Sequence, residues 1–251
     1  MACVDAVDAV TAIDLRVGRW QDVLADVEAV DCIISDPPYS ARTHGGDSVR
    51  VQAHADADRA MLSEAYQSWT PEDVARFVDG WAARCRGWFV ALTDHVLIPA
   101  WFDAYESAGR YAFAPVVVKQ HRPRLVGDGP GSCAVYMMVS RPRSRAFATW
   151  GSLPGWYDSA TDRGVVMGAK PLDLMRAIVR DYSRPGDLIC DPCAGGATTL
   201  LAAAMEGRRA VGAELDPETY AKASARIARG YTPPLFVDTA PEPTQSELWT
   251  P

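Results

Sequence analysis

The run DLICDPCAGGATTLLAAAMEGRRAVGAEL, residues 187–215, constrains the fold more than any other stretch. An apolar tetrapeptide ends in an acid (Asp191), two glycines follow, and an alanine-rich helical segment leads into a second apolar run ending in Glu214. Gly195 and Gly196 allow a tight turn and a close backbone approach. Thr198 and Thr199 open a helix whose first N–H groups favour an anionic ligand group. A carboxylate about twenty residues beyond such a turn is placed to hold ribose hydroxyls. The pattern is strand–turn–helix–strand, which commits the chain to a sheet with parallel neighbours. The turn is not G-x-G-x-x-G and has no Walker lysine, which argues against a dinucleotide or ATP and for a nucleoside carrying a small charged group. Taken alone, the same run also reads as a Gly-rich βα turn with no ligand.

The rest of the chain keeps the alternation. DCIIS (31–35) and GWFVALT (87–93) read as buried strands, and TPEDVARFVDGWAARC (70–85) as a helix. In that helix Thr70 can cap, Pro71 suits the first position, and Val74, Phe77, Val78 and Trp81 recur at helical spacing. Residues 96–108, 170–183, 196–207 and 216–230 are further predicted helices, and DLICD and RAVGAEL are strands. YAFAPVVVK (111–119) and CAVYMMVS (133–140) are joined by HRPRLVGDGPGS, too short for a crossover helix, so they are expected to pair antiparallel. The expected fold is α/β: a mostly parallel, doubly wound sheet with one antiparallel strand supplied by this late hairpin. Residues 1–231 form one expected domain, with a loop or lid at 40–69 and irregular chain at 141–165. The proline-rich tail 232–251 is expected to be extended.

Composition narrows the function. No run of 18 apolar residues exists, so no membrane span is expected, and MACVDAVDAV lacks the basic start of a secretory signal. Six cysteines, several inside apolar runs, read as reduced thiols of a cytoplasmic protein. Cys190 and Cys193 form a C-x-x-C without a second pair, and the four histidines are scattered, so no metal site is expected. Net charge is −7, yet residues 110–145 carry seven Lys/Arg against Asp128 alone, a local charge of +6. A basic face on an acidic body can meet a phosphate backbone; an ordinary solvated hairpin accounts for the charge equally well.

The second distinctive stretch is IISDPPYS (33–40). By itself DPPY is a rigid proline turn. Placed 155 residues before DPCAGGATT, and with GAKPLDLM ahead of that second motif, it resembles the S-adenosylmethionine-dependent DNA amino-methyltransferases, in the motif order of their β class. The resemblance extends from LRVGRWQDVL (15–24) to AKASARI (221–227). It departs from the family at Cys193, where Phe is frequent, and at Gly18-Arg19, where Gly-Asp is frequent.

The resemblance implies a fold of the class I methyltransferase type in circularly permuted order and S-adenosylmethionine as cofactor. The cofactor is expected on Lys170, Asp191, Pro192, Cys193, Ala194, Gly195, Gly196, Thr198, Glu214 and Asp216. It implies double-stranded DNA as partner, with the target base flipped, and leaves a homodimer open. Asp36, Pro37, Pro38 and Tyr39 are the implied catalytic loop. An exocyclic amine is a poor nucleophile; hydrogen bonds to Asp36 and the Pro37 carbonyl would align it and stabilise its growing positive charge, while Tyr39 stacks on the base. Asp in the first position leans to adenine N6, with cytosine N4 as the alternative. RNA or protein-glutamine methylation, or an inactive DNA-binding relative, are the rival readings.

The expected DNA contacts are Arg42 and His44 in the loop, Lys119, His121, Arg122 and Arg124 on the hairpin, and Arg141 and Arg143 beyond its second strand, followed by Arg145. Base reading is expected around 121–132 and 141–165, or from the 40–69 loop. Only about 25 residues separate hairpin and next helix, so a short or relaxed target sequence is expected.

Overall fold

The computed structural model describes residues 12–43, 68–124, 130–143, 150–159 and 169–230, and only the backbone of 121–124. His44, Arg145, most of the 40–69 loop, parts of the 121–132 and 141–165 elements and the 232–251 tail lie outside the described residues, as do the side chains of His121, Arg122 and Arg124.

Nine described strands form one sheet: β1 (Ile13–Val17), β2 (Cys32–Ser35), β3 (Phe89–Thr93), β4 (Arg110–Ala112), β5 (Val116–Arg124), β6 (Ser132–Pro142), β7 (Trp156–Ser159), β8 (Leu188–Asp191) and β9 (Arg209–Glu214). Their order is β1-β9-β8-β2-β3-β6-β5-β7, with β4 beside β6. Only β6 runs against the others, pairing antiparallel with β3, β4 and β5. This is the antiparallel strand expected from the hairpin, and the mostly parallel α/β class stands. β2 and β3 are buried at every position, as parallel strands covered on both faces must be.

The described helices are α1 (Trp20–Val23), α2 (Pro71–Ala82), α3 (Ile98–Ser107), α4 (Leu172–Tyr182), α5 (Thr198–Met205) and α6 (Pro217–Ala228). In α2, Thr70 and Asp73 form a reciprocal capping box, and Val74, Phe77, Val78 and Trp81 are the buried positions. One core cluster gathers α2, α3 and Leu24 on one face of the sheet; the other gathers α4, α5 and Ala223 of α6. The first is rich in aromatic rings, with Phe77, Phe89, Trp101 and Tyr105 in successive edge contacts.

Three elements differ from the sequence expectations. The run 111–119 is two strands, since Pro115 separates β4 from β5. β7 lies within the stretch expected to be irregular and pairs in parallel with β5. β1 extends the far edge beside β9.

Gly212 sets how closely α5 seats on the sheet. A Cβ there would lie 2.7 Å from the Asp191 carbonyl oxygen and 3.0 Å from Leu200 Cδ1. Absence of that carbon lets the Gly-rich turn and its helix pack directly over β9.

Candidate active site

Chain connections diverge between β8 and β2: β8 leads outward to β9, β2 outward to β3. Such a switch point opens a crevice at the carboxyl ends of the strands. Both sequence motifs end there. Ile33 is level with Cys190, so the chain leaves β2 through Asp36 directly beside the point where it leaves β8 through Asp191. The Ser35 hydroxyl donates to Asp191 Oδ1 at 2.7 Å and ties the two ends together.

Asp191 is buried and also accepts from the Cys193 N–H at 3.1 Å. Burial pushes its carboxyl up to about 6, against the lowering effect of hydrogen bonds from Thr199, Ser35 and Cys193. Next to it the turn enters left-handed backbone twice, at Gly195 (φ 51°) and at Ala197 (φ 58°), the residue before α5. The Gly195 N–H donates to Glu214 Oε2, and the Asp216 N–H to Glu214 Oε1, each at 2.8 Å. Burial raises the Glu214 carboxyl from its ordinary range, opposed by these two N–H donors. The Gly18 N–H reaches the Glu214 carbonyl at 2.8 Å and brings the end of β1 to the same corner.

Several predicted cofactor residues act here through backbone or packing. Pro192 is buried, Ala194 donates its N–H to the Ala213 carbonyl at 2.8 Å, and the Gly196 carbonyl and Thr198 hydroxyl both accept from Arg226 at 2.9 Å. Asp216 caps α6 by accepting from the N–H and the hydroxyl of Thr219, which lowers its carboxyl.

In the DPPY loop, Asp36 and Pro38 are half-buried, and Pro37, Tyr39 and Ser40 are buried. The Tyr39 hydroxyl donates to Asp36 Oδ1 at 3.0 Å, and Lys170 Nζ donates to Asp36 Oδ2. The same ammonium stands 5.1 Å from the centroid of the Tyr39 ring. Lys170, expected on the cofactor, is therefore joined to the catalytic loop in this structure.

Asp94, just past β3, holds the far side of the loop. Its Oδ2 accepts from the Ser40 N–H (2.9 Å), the Ser40 hydroxyl and the Thr43 hydroxyl (both 2.5 Å), while Oδ1 accepts from the N–H groups of Val96 and Leu97. Burial works to raise the Asp94 carboxyl; these donors outweigh it, and the net shift is downward. The Tyr39 carbonyl also accepts from the Trp69 N–H at 3.0 Å. Neither Asp94 nor Arg226 was among the residues singled out from sequence. The signal for Asp94 was present: like Asp36 and Asp191, it is an acid just at the end of a buried strand.

The predicted DNA contacts divide in two. Val116 is level with Met137, and Lys119 with Ala134, so β5 carries Lys119 and the backbone of 121–124 beyond the carboxyl edge, on the side of Asp36. Lys119 there lies 3.8 Å from Asp158, and Arg42 is exposed beside the catalytic loop. Arg141 and Arg143 run the other way. They are four and six residues beyond Met137, about 13 and 20 Å along the strand toward the opposite edge. Arg143 pairs with Glu106, and both arginines stack on Tyr111. The sequence placed them with the hairpin tip because they follow it in the chain; the antiparallel return of β6 carries them away from the catalytic loop.

Among the described residues no group of three or more His, Cys, Asp or Glu is arranged to hold a metal ion, and no helix is long and apolar enough to cross a membrane.

The sheet order and the crevice at its switch point are those of the class I methyltransferase fold. The chain superposes on the crystal structure of an M1.HpyAVI–SAM complex with a TM-score of 0.62 at 19% identity, covering 86% of this chain and 98% of that one. TTHA0409 from Thermus thermophilus, described as a DNA modification methylase and complexed with S-adenosyl-L-methionine, gives 0.61 at 24% identity, with 91% and 99% covered. PvuII DNA methyltransferase (cytosine-N4-specific) gives 0.62 at 14% identity, with 86% of each chain covered. Within this fold, residues 148–225 match the DNA methylase family model, a segment holding β7, Lys170, the Gly-rich turn and Glu214. No curated protein matches by sequence. The resemblance read from the two motifs is thus borne out in fold and family; neither comparison tests the β-class order.

Proposed function

We propose that this chain transfers a methyl group from S-adenosylmethionine to an exocyclic amine of a base flipped out of duplex DNA, with adenine N6 as the acceptor. The observation that carries the reading is the meeting of the DPPY loop and the Gly-rich turn at one switch point, joined by the Ser35–Asp191 hydrogen bond. The crevice residues fit the cofactor. A Cβ added to Gly195 would meet nothing within 4 Å, so the turn is open toward a ligand, and Glu214 beside it is an acid placed for ribose hydroxyls. Asp191 and the backbone of 192–196 would line the amino-acid part, and Thr198 and Asp216 would flank it. When bound, S-adenosylmethionine supplies an electrophilic methyl group on a sulfonium.

The protein's own part is positioning. Asp36 and the Pro37 carbonyl would accept the two amine hydrogens and set the nitrogen lone pair toward the methyl group. The Asp36 charge would stabilise the positive charge that builds on the nitrogen. Tyr39 would lie against the base, and the unstacking cost of roughly a few kcal/mol would be offset by these contacts. Lys119, Arg122 and Arg124 on the overhanging hairpin, with Arg42, would hold phosphates. Asp in the first loop position supports adenine N6; the PvuII likeness keeps cytosine N4 as the second reading.

The test is a tritiated-methyl transfer assay on DNA, RNA and protein, with mapping of modified bases in DNA from cells expressing the chain. N6-methyladenine in many short contexts is the expected result. Asp36→Ala should abolish transfer while cofactor binding persists by calorimetry. Near-wild-type turnover in that variant, or label appearing only in RNA or protein, would refute the assignment.

A further inference from the structure

The Asp36–Lys170 pair stands where the proposed reaction needs an open position. Asp36 has two carboxylate oxygens; Tyr39 donates to one and Lys170 to the other. The Lys170 ammonium also stands against the Tyr39 ring, 5.1 Å from its centroid. It thus takes both places the reading above reserves for the target base: an oxygen to accept the amine and a ring to stack on. Base and ammonium exclude one another. A cation on Asp36 would also cancel the negative charge that is to stabilise the methylated nitrogen.

Lys170 is rooted just before Pro171, the residue that caps α4, on a long unbranched stem that can swing while its backbone stays fixed. Its destination follows from the other carboxylates of the crevice. Asp191 already accepts from Ser35 and Cys193, and Glu214 from Gly195 and Asp216. The anion that can draw the ammonium off Asp36 is therefore one that the ligand brings, and S-adenosylmethionine carries a carboxylate on the amino-acid part assigned to the neighbouring turn.

We propose that Lys170 is a placeholder cation. It closes the base pocket in the ligand-free protein and moves to the cofactor's carboxylate on binding, so that base capture is conditional on cofactor. The inference rests on the methyltransferase reading and makes Lys170 a positioning residue that acts through Asp36.

The test uses the full chain and a duplex with 2-aminopurine at the mapped target position, whose fluorescence rises when the base leaves the stack. The probes are S-adenosylhomocysteine, which keeps the carboxylate and has no methyl to transfer, and 5′-methylthioadenosine, which lacks the amino-acid part. Each is used at saturation as fixed by calorimetry. In the wild type, S-adenosylhomocysteine should tighten base capture on the order of tenfold, and 5′-methylthioadenosine should not. Lys170→Met should capture the base without any ligand, and S-adenosylhomocysteine should then add less than twofold. Lys170→Arg, which keeps the cation, should retain the dependence, and thermal melts establish that both variants fold.

A wild-type dependence unchanged in Lys170→Met, or equal opening by 5′-methylthioadenosine, overturns the placeholder. Failure of the wild type to bind S-adenosylhomocysteine at all would instead overturn the methyltransferase reading.

Discussion

Asp94→Asn should loosen the catalytic loop without removing any group proposed to touch substrate. Asp94 Oδ2 accepts from three donors in the stretch that follows DPPY, while Oδ1 serves Val96 and Leu97. Asparagine retains one acceptor oxygen. If that oxygen stays with Val96 and Leu97, the new amide faces the Ser40 and Thr43 hydroxyls, which can rotate to accept from it. The Ser40 N–H cannot adapt and is left buried without an acceptor. That orphan costs about 1–3 kcal/mol, and loss of charge assistance at the remaining bonds adds a similar amount. The expected destabilisation is about 3 kcal/mol, or roughly 6–12 °C in melting temperature for a chain of this length.

Acidification supplies a second readout. Burial alone would raise the Asp94 carboxyl, but the Ser40 and Thr43 donors hold it below its ordinary value. Its stabilisation is therefore present above the unfolded-state value near 4 and is lost as pH falls through the lower folded value. The gap between wild type and variant in urea titrations should be constant near neutrality and shrink only under acid conditions. Transfer should fall while calorimetric cofactor affinity stays within about threefold, since the Gly-rich turn is untouched. A stability loss under about 1 kcal/mol, or a gap that widens on acidification, would refute the role assigned to Asp94.

Asp191 should behave in the opposite sense. Burial lifts its carboxyl to about 6, so the native state holds a proton that the unfolded chain releases between about pH 4 and 6, and stability contributed there is lost as pH rises through that window. Relative to Asp191→Asn, the wild type should gain up to roughly 3 kcal/mol on going from pH 7 to pH 4, read from denaturant titrations at each pH; a loss would contradict the burial argument. Gly212→Ala should destabilise by about 2 kcal/mol or more, because its Cβ meets backbone; a melting temperature within about 2 °C of wild type would show that α5 can shift without cost. Replacing Lys119, Arg122 and Arg124 with Gln should weaken DNA binding and flatten its salt dependence, whereas Arg141→Gln with Arg143→Gln should leave the slope unchanged; equal effects from the two sets would place both ends of β6 against DNA.

The site was legible where chemistry and chain punctuation coincide. DPPY and DPCAGGATT each join a strand end to residues with unusual backbone or charge, so both could be assigned to a crevice before any coordinates. What the chain order hid was distance. Arg141 and Arg143 follow the hairpin in sequence and lie past the opposite edge of the sheet, because β6 runs antiparallel through its whole length. Asp94 was hidden by its partners, which lie about fifty residues upstream in Ser40 and Thr43. β7 escaped because WYDS is short and is stabilised by pairing with β5, a tertiary effect that local propensity does not carry. The Lys170–Asp36 contact spans 134 residues, and nothing local to either residue announces it.

The strand order also governs how the molecule can assemble. β1 and β2 are the first two strands made, yet β9 and β8, near the other end of the chain, lie between them. During synthesis β1 has no neighbour and β2 presents a bare edge until residues 188–214 emerge. Apolar edges left open are sites of mispairing, and contacts this distant in sequence close slowly. The crevice at the β8/β2 junction is therefore among the last features to form, and a ribosome stalled before β8 would hold a chain with DPPY complete and no pocket for it to serve.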